Sequence, residues 1–387
     1  MRKTLPIILA LSMAAALSGC SGSKPAEATA AAETTAAMTA ETAETTAETT
    51  AADSSETAAA NEGADSSKPA GAESESKAAS AQAELPKAPD VTVRTGSLKG
   101  PTSMGLVQLM DKQKKGEALC DYEFTMVTAA DELLGKVVNG DLDIALVPAN
   151  VASVLYNKTE GGISVIDINT LGVLDIVASD DSIQSIADLK GKTLYLTGKG
   201  TTPDYVIRYL LTENGLSDSD VTLEYKSEPT EVAAVLKDQA DAIGLLPQPF
   251  VTAACAQNEN LKIVLDLTKE WQAVQGSGGS QLVTGVTVVR NAFLEEYPDA
   301  VTLFLAEHKE SAAFANENPD EASELIAAAG IIEKAPIAKK ALPYCNITCM
   351  TGEEMKTALS GYLKVLFDQD PKSVGGKLPE DGFYFIP

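Results

Sequence analysis

The sequence predicts an α/β fold of two lobes joined by a hinge and preceded by a disordered tether. Three observations support this class. Residues 20–87 are dominated by Ala, Thr, Ser and Glu and contain no aromatic residue. From about Pro86, short apolar runs alternate with helical stretches, which is typical of βαβ units and a mainly parallel sheet. The same alternation starts again after residues 189–192, so two α/β units are expected in succession.

The N-terminal segment has the features of an export signal. Arg2 and Lys3 precede an apolar stretch, Leu5 to Leu17, that is shorter than the ~20 residues a membrane span needs. Leu17-Ser-Gly-Cys20 closes it, and this pattern resembles the lipobox of bacterial lipoproteins. The resemblance implies a signal peptide over residues 1–19 and a lipid, with palmitate among its acyl chains, on Cys20. An ordinary secretory peptide, in which Cys20 is incidental, is the alternative.

Residues 20–87 are expected to form a flexible tether. They cannot bury enough apolar surface to offset the entropy of ordering, and random-coil statistics give them a reach of about 45 Å. A weak Ala/Glu helix is the alternative, which pairs such as Thr45-Thr46 disfavour. We therefore expect a protein held at the extracytoplasmic face of the cell membrane by its lipid.

Charge and cysteine usage narrow the classes of function. The net charge of −25 leaves no basic stripe for phosphates, so nucleic acid is not expected as a partner. Four cysteines follow Cys20, at positions 120, 255, 345 and 349, and they are either buried thiols or disulfides, with Cys345 and Cys349 nearest in sequence. A single histidine and no Cys-x2-Cys disfavour a zinc centre or a Ser-His-Asp hydrolase, and no metal or cofactor is expected. The charged neighbours of His308 indicate an exposed helix face.

The elements follow one another as strand and helix. Residues 88–180 are predicted as the first part of lobe 1, residues 181–284 as lobe 2, and residues 285–387 as a mostly helical return to lobe 1. The predicted strands and helices are β 91–95, α 102–114, β 122–127, α 130–139, β 142–147, α 149–156, β 193–196, α 202–213, β 221–225, α 230–236, β 242–246, α 249–256 and β 282–289. Pro298, Pro319 and Thr351 are typical of helix starts.

Polar turns follow the predicted strands, and open α/β sheets bind ligands beyond the carboxyl ends of their strands. The candidate ligand-binding residues are Ser97, Gly100, Thr102, Ser103 and Asn150 in lobe 1, and Thr201, Thr202, Gln248, Phe250 and Trp271 in lobe 2. Hydroxyls, amides and free backbone N–H groups suit a polar solute, and the two aromatic rings suit a planar one. Helix capping is the alternative for the hydroxyls, and core packing for the rings. The absence of an arginine from these turns favours a neutral or weakly charged solute.

Several stretches together resemble a known family. They are Gly140-Asp-Leu-Asp-Ile-Ala-Leu146, Ile186-Ala-Asp-Leu-Lys-Gly-Lys192, the glycine-containing turn of residues 197–205, Asp241-Ala242, and two late stretches, 342–348 and 370–379. The chain resembles the substrate-binding lipoproteins of ABC importers, of the nitrate, sulfonate, taurine and pyrimidine-precursor type. The resemblance implies a two-lobed periplasmic-binding-protein (Venus-flytrap) fold that holds a small-molecule solute in its cleft. It also implies an ABC permease and its ATPase as partners, and no enzyme activity.

Two other classes stay open at this point. An enzyme, for example a glycan-acting hydrolase, would use paired carboxylates, which an acidic chain can supply. The related fungal pyrimidine-precursor synthases carry a cysteine-rich stretch that Cys345-Asn-Ile-Thr-Cys349 does not reproduce. A wall-associated lipoprotein would instead show an exposed aromatic patch and no closure on a ligand. The identity of the solute is not predicted.

Overall fold

Two β-sheets flanked by helices make up residues 85–387, the part of the chain that the computed structural model describes. These residues lie within one compact unit. The predicted signal peptide (1–19), the lipid site Cys20 and nearly all of the predicted tether (20–87) lie outside the described residues. Within residues 85–387, no helix combines the length and the apolar character that a membrane span requires.

The strands are short, apolar and rich in β-branched residues, as buried strands of α/β proteins are. They are β1 (Thr92–Leu98), β2 (Asp121–Val127), β3 (Ile144–Pro148), β4 (Ile163–Leu171), β5 (Leu174–Ala178), β6 (Thr193–Leu196), β7 (Thr222–Tyr225), β8 (Ile243–Pro247), β9 (Lys262–Asp266), β10 (Val283–Arg290) and β11 (Ile347–Met350).

The helices connect these strands and cover the sheets. They are α1 (Pro101–Met104), α2 (Val107–Lys115), α3 (Ala130–Asn139), α4 (Ala149–Lys158), α5 (Thr202–Glu213), α6 (Pro229–Asp238), α7 (Phe250–Gln257), α8 (Leu267–Gln275), α9 (Asn291–Glu296), α10 (Pro298–Glu317), α11 (Pro319–Ala328), α12 (Ala335–Ala341) and α13 (Gly352–Gln369). Proline in the first turn of α10 and α11 confirms the two helix starts predicted there, because a missing N–H costs nothing at that position.

The first sheet has the strand order β11-β4-β10-β3-β1-β2. β1 is parallel to both β2 and β3, whereas β10 runs antiparallel to β3 and β4. The carboxyl ends of β1, β3 and β4 therefore meet at one edge of this sheet, where β10 begins. The helices that follow β1 and β3, α1 and α4, start at that edge.

The second sheet has the order β7-β6-β8-β5-β9, with β6 parallel to β7 and β8. The chain enters it at β5, directly after β4, and this is earlier than the predicted boundary at residue 180. The reason is that residues 174–178 pair antiparallel with β8 and not with the first sheet. The chain returns to the first sheet at β10, so it crosses between the sheets twice.

One hydrophobic core spans both sheets. It includes Trp271 of α8 together with Tyr362 and Leu363 of α13, all fully buried. Helix α13 packs on α4, β4 and β10 of the first lobe and also on α5 of the second. The lobes are therefore in direct contact on the side where α13 lies.

Candidate ligand site between the lobes

The hydroxyls at the end of β1 and the start of α1 form hydrogen bonds within lobe 1. Thr102 Oγ1 donates to the Leu98 carbonyl at 2.8 Å, Ser103 Oγ donates to the same oxygen at 2.6 Å, and Ser97 Oγ lies 2.6 Å from Ser103 Oγ. Gly100 precedes α1 at φ 149°, a conformation that favours glycine. These contacts fix the turn at the lobe 1 edge. The ligand role predicted for these four residues stays a prediction.

Asn150 reaches from lobe 1 to lobe 2. It lies in the first turn of α4 and is fully buried, and its Nδ2 donates to the Gly200 carbonyl at 3.2 Å and to the Ser373 carbonyl at 3.1 Å. Its Oδ1 is buried and has no hydrogen-bond partner among the described residues. A buried amide oxygen without a donor costs free energy, which an N–H or O–H group of a solute would recover.

The first turn of α5 faces Asn150 from the second lobe. Thr201 Oγ1 donates to the Gly198 carbonyl at 2.7 Å, and Thr202 Oγ1 reaches the Thr284 carbonyl of β10 at 3.4 Å, across the lobes. Asp204 accepts from the Gly200 N–H at 2.8 Å. Neither hydroxyl caps α5, whose start has no side-chain cap, so the capping interpretation of Thr201 and Thr202 is wrong. Their bonds instead fix the turn before α5 and hold the helix start beside lobe 1.

Two further residues, Tyr362 and Thr284, complete this region, and neither is among the ten predicted ligand residues. The hydroxyl of Tyr362, fully buried on α13, lies beside Thr202, and the hydroxyl of Thr284 is buried at the start of β10. Neither hydroxyl has a hydrogen-bond partner within the described residues. We define the inter-lobe site as Asn150, Thr202, Thr284 and Tyr362. The apolar spacing of α13 predicts that Tyr362 is buried, but no local pattern connects it with α5.

Gln248 and Phe250 lie further along the second lobe. Gln248 Nε2 donates to Asp175 Oδ2 at 3.1 Å, and its Oε1 accepts from Thr252 Oγ1 at 2.8 Å. Phe250 is half-buried and packs against the cluster that contains Val177. Burial, together with the nearby charge of Asp266, raises the pKa of Asp175 to about 7. Both polar groups of Gln248 are therefore used within lobe 2.

Trp271 is a fully buried core residue. Its ring lies 4.8 Å from that of Tyr209 and 5.5 Å from that of Tyr362, measured between centroids, and its Nε1 donates to the Ser280 carbonyl at 2.8 Å. It contacts the inter-lobe site through Tyr362 and not directly. Of the ten predicted ligand residues, the structure brings Asn150, Thr201 and Thr202 together at the lobe interface.

The sequence-based interpretation of His308 is wrong. The residue is fully buried on α10, because positions 301, 304, 308, 311, 312 and 315 form the face that packs inward. Its Nδ1 lies 3.1 Å from Asp167 Oδ2, and although burial disfavours the charged ring, Asp167 outweighs it and raises the pKa of His308 to about 10. Cys349 is close to the same ring.

The four cysteines among the described residues are free thiols: Cys120, Cys255, Cys345 and Cys349. Of the two open alternatives, the structure therefore shows thiols and no Cys345–Cys349 disulfide.

Comparison with known proteins places this architecture. Residues 137–322 match the family described as NMT1/THI5 like. A Brucella abortus protein described as a binding protein is 26% identical over 201 residues, which are 52% of this chain and 59% of the relative. The match therefore spans less than two thirds of that relative's length.

Comparison with solved structures identifies the fold. An ABC transporter protein from Parabacteroides distasonis superposes with a TM-score of 0.63 at 24% identity, covering 77% of this chain and 99% of the other. The periplasmic aliphatic sulphonate binding protein SsuA of Escherichia coli superposes with a TM-score of 0.60 at 17% identity, covering 74% and 95%. These likenesses confirm the predicted α/β periplasmic-binding-protein fold.

Proposed function

We propose that this chain is the solute-binding component of an ABC importer, which captures a small molecule between its lobes and delivers it to a membrane permease and its ATPase. The observation that carries the proposal is the inter-lobe site. Asn150, Thr284 and Tyr362 bring buried polar atoms without internal partners to the place where the first turn of α5 meets lobe 1. The binding-protein relatives support the same role and favour binding over catalysis.

Closure around the solute would be a hinge motion. The chain crosses between the sheets twice, after β4 and before β10, and two crossings permit one lobe to rotate against the other. A solute that contacts Asn150 on one lobe and the α5 start on the other favours the closed state by its differential affinity. The contacts Asn150–Gly200 and Thr202–Thr284 are two of the polar contacts between the lobes that opening would break.

The polarity of the site favours an uncharged or weakly charged solute. The four side chains of the inter-lobe site carry no charge. The three arginines nearest the strands are engaged elsewhere: Arg94 and Arg290 bind Asp143, and Arg208 binds Asp204. A sulfonate would gain most from an arginine clamp, so we propose a polar solute with N–H or O–H donors for Asn150 Oδ1.

The proposed place of action rests on the resemblance of residues 1–20 to a lipoprotein export signal. We propose that the lipid on Cys20 holds the protein at the extracytoplasmic face of the membrane, and that residues 20–87 form a tether of about 45 Å reach. Tethering would keep the binding lobes concentrated near the permease.

The test is to identify and measure the solute. Mass spectrometry of small molecules released from the purified chain should show one compound, and isothermal titration should reproduce its binding. Asn150→Ala should weaken that binding by up to about tenfold, the value of one hydrogen bond. Asn139→Ala, at an exposed position in α3, is the matched control and should not change it.

Small-angle scattering should show a smaller radius of gyration when that solute is added. If no compound co-purifies and none among sulfonates, nitrate, thiamine precursors and related neutral heterocycles stabilises the protein, the proposal is wrong.

A further inference from the structure

We propose that Asp167, His308 and Cys349 form a buried binding site for one zinc-class metal ion in lobe 1. The three residues come from β4, α10 and β11, so the site is built from elements far apart in sequence. It is separate from the inter-lobe site, and it does not rest on the proposed transport function.

The donor atoms converge on one point. One oxygen, one nitrogen and one sulfur from these residues all lie within 4.8 Å of one another. Asp167 and His308 are fully buried, and Cys349 is partly buried. Carboxylate, imidazole and thiolate together are a ligand set that suits Zn²⁺, and three protein ligands leave one position open in tetrahedral geometry.

The two ring nitrogens of His308 face different groups, and Nδ1 is the one that faces Asp167 and would bind the ion. His308 Nε2 is buried and has no hydrogen-bond partner in the described part of the chain. The neighbouring Gly105 carries no side chain, and a Cβ there would lie 3.6 Å from this nitrogen. Nε2 therefore lies on the side of the ring away from Asp167, and its missing partner is separate from the proposed ligand set.

Neighbouring side chains hold the Asp167 carboxylate in a fixed orientation. Thr287 Oγ1 donates to Asp167 Oδ1 at 2.8 Å, and Asn169 Nδ2 donates to Thr287 Oγ1 at 3.1 Å. These bonds leave Asp167 Oδ2 directed at His308. Hydrogen-bonded carboxylates of this kind orient metal ligands, and their loss typically weakens metal binding by about 10- to 100-fold.

Cys349 offers a route for the ion. β11 is the edge strand of the first sheet, and its pairing with β4 shifts register between Ile347 and Met350. Such bulges redirect side chains, and this one contains Cys349. Because Cys349 is partly exposed while the other two residues are buried, we expect an ion to reach the cluster from the sheet edge.

Cobalt(II) is the probe of choice because a thiolate ligand gives it a charge-transfer absorption. The full chain, purified without a histidine tag, should bind about one Co²⁺ with that absorption band, and Zn²⁺ should displace it. Cys349→Ser should abolish the band and weaken binding at least about tenfold. Cys255→Ser, which removes a thiol outside the cluster, should change neither.

Cys349→Ser decides the outcome, because it keeps the Asp167–His308 contact and nearly the size of the side chain. His308→Gln is the second variant, and its fold is checked by circular dichroism. The proposal is overturned if the unmodified chain shows no thiolate band with Co²⁺, or if the band persists unchanged in Cys349→Ser.

Discussion

At the scale of single residues, Asp143 is a buried charge of lobe 1 that two arginines share. It precedes β3, is almost fully buried, and accepts hydrogen bonds from Arg94 Nη2 and Arg290 Nη2, both at 2.6 Å. Burial disfavours the carboxylate, but the bonds from the two arginines outweigh this and hold the pKa of Asp143 below its ordinary value. Asp143 and the two arginines lie at the edge of the first sheet opposite the inter-lobe site.

Asp143→Asn should lower the free energy of unfolding by about 2–4 kcal/mol at neutral pH, because the arginines lose a buried charged partner. A depressed pKa gives stability that is present above the unfolded value of 3.8 and is lost as pH falls through the folded value. Urea unfolding at several pH values should therefore show the two proteins converging below about pH 4. An equal difference at all pH values would contradict this account.

Asp175 should have the opposite pH dependence. Its pKa is raised to about 7 by burial and by Asp266, so between about pH 4 and 7 the folded state keeps a proton that the unfolded state releases. Stability therefore falls as pH rises through this range. Asp175→Asn should remove the fall and gain on the order of 2–4 kcal/mol over the unmodified chain at about pH 8. At about pH 4 the two should unfold alike, and an equal gain at both pH values would exclude the linkage.

The burial of His308 was not predicted because its neighbours in sequence are charged. Glu307, Lys309 and Glu310 suggest a solvated face, yet Glu307 is itself buried and accepts from Tyr122 at 2.7 Å. The apolar residues three, four and seven positions away carry the correct signal, because they share one face of α10 with His308. Periodicity over the whole helix would have placed His308 inside.

At the scale of elements, most strands that alternate with helices were predicted, whereas the strand pair β4–β5, in which one strand follows another, was not. β1, β3, β6 and β8 each precede a helix and lie within a few residues of their predicted positions. β4, β5, β9 and β11 were not predicted. Only Gly172 and Val173 separate β4 from β5, although the two strands belong to different sheets, and the sequence alone does not show where the chain changes sheet. The helix predicted over 102–114 is two helices, α1 and α2, with a break at Gly105-Leu106.

Two glycine positions test how tightly an element is packed. In β1, a Cβ at Gly96 would lie 2.5 Å from Leu142 Cδ1 and 2.7 Å from Leu133 Cδ2, so α3 packs directly on the strand backbone. Gly96→Ala should lower the free energy of unfolding by about 1–3 kcal/mol through overpacking. Gly135→Ala, on the exposed face of α3 with open space around it, should instead raise it by up to about 1 kcal/mol. Chemical unfolding of both variants compares them, and a loss in both would show that the effect is not local packing.

At the scale of the whole molecule, only part of the inter-lobe site could be predicted from the sequence. Asn150, Thr201 and Thr202 follow strands or open helices, and the rule that ligands bind beyond strand ends selects them. Tyr362 comes from a helix near the C-terminus that packs on both lobes, and Thr284 lies where β10 begins. Their positions depend on how the return segment packs, which local sequence patterns do not encode.

Tyr362 contacts both lobes, and substitutions of it can distinguish effects on stability from effects on binding. Its ring packs against Trp271 of lobe 2, while its buried hydroxyl has no partner among residues 85–387. Tyr362→Phe keeps the ring and removes the unpartnered hydroxyl, so the free energy of unfolding should be unchanged or rise by about 1 kcal/mol. If the hydroxyl contacts the solute, the affinity measured by isothermal titration should fall about 5- to 10-fold in the same variant.

Tyr362→Ala is the control for the ring. It removes the contact with Trp271 and should lower the free energy of unfolding by about 3–5 kcal/mol. Since Trp271 is the single tryptophan, the same loss should shift its fluorescence to longer wavelength as water reaches the interface. A Tyr362→Phe variant that is less stable than the unmodified chain would mean that the hydroxyl has a structural partner. If Tyr362→Phe binds the solute with unchanged affinity, the Tyr362 hydroxyl does not contact the solute, and Tyr362 serves only the contact between the lobes.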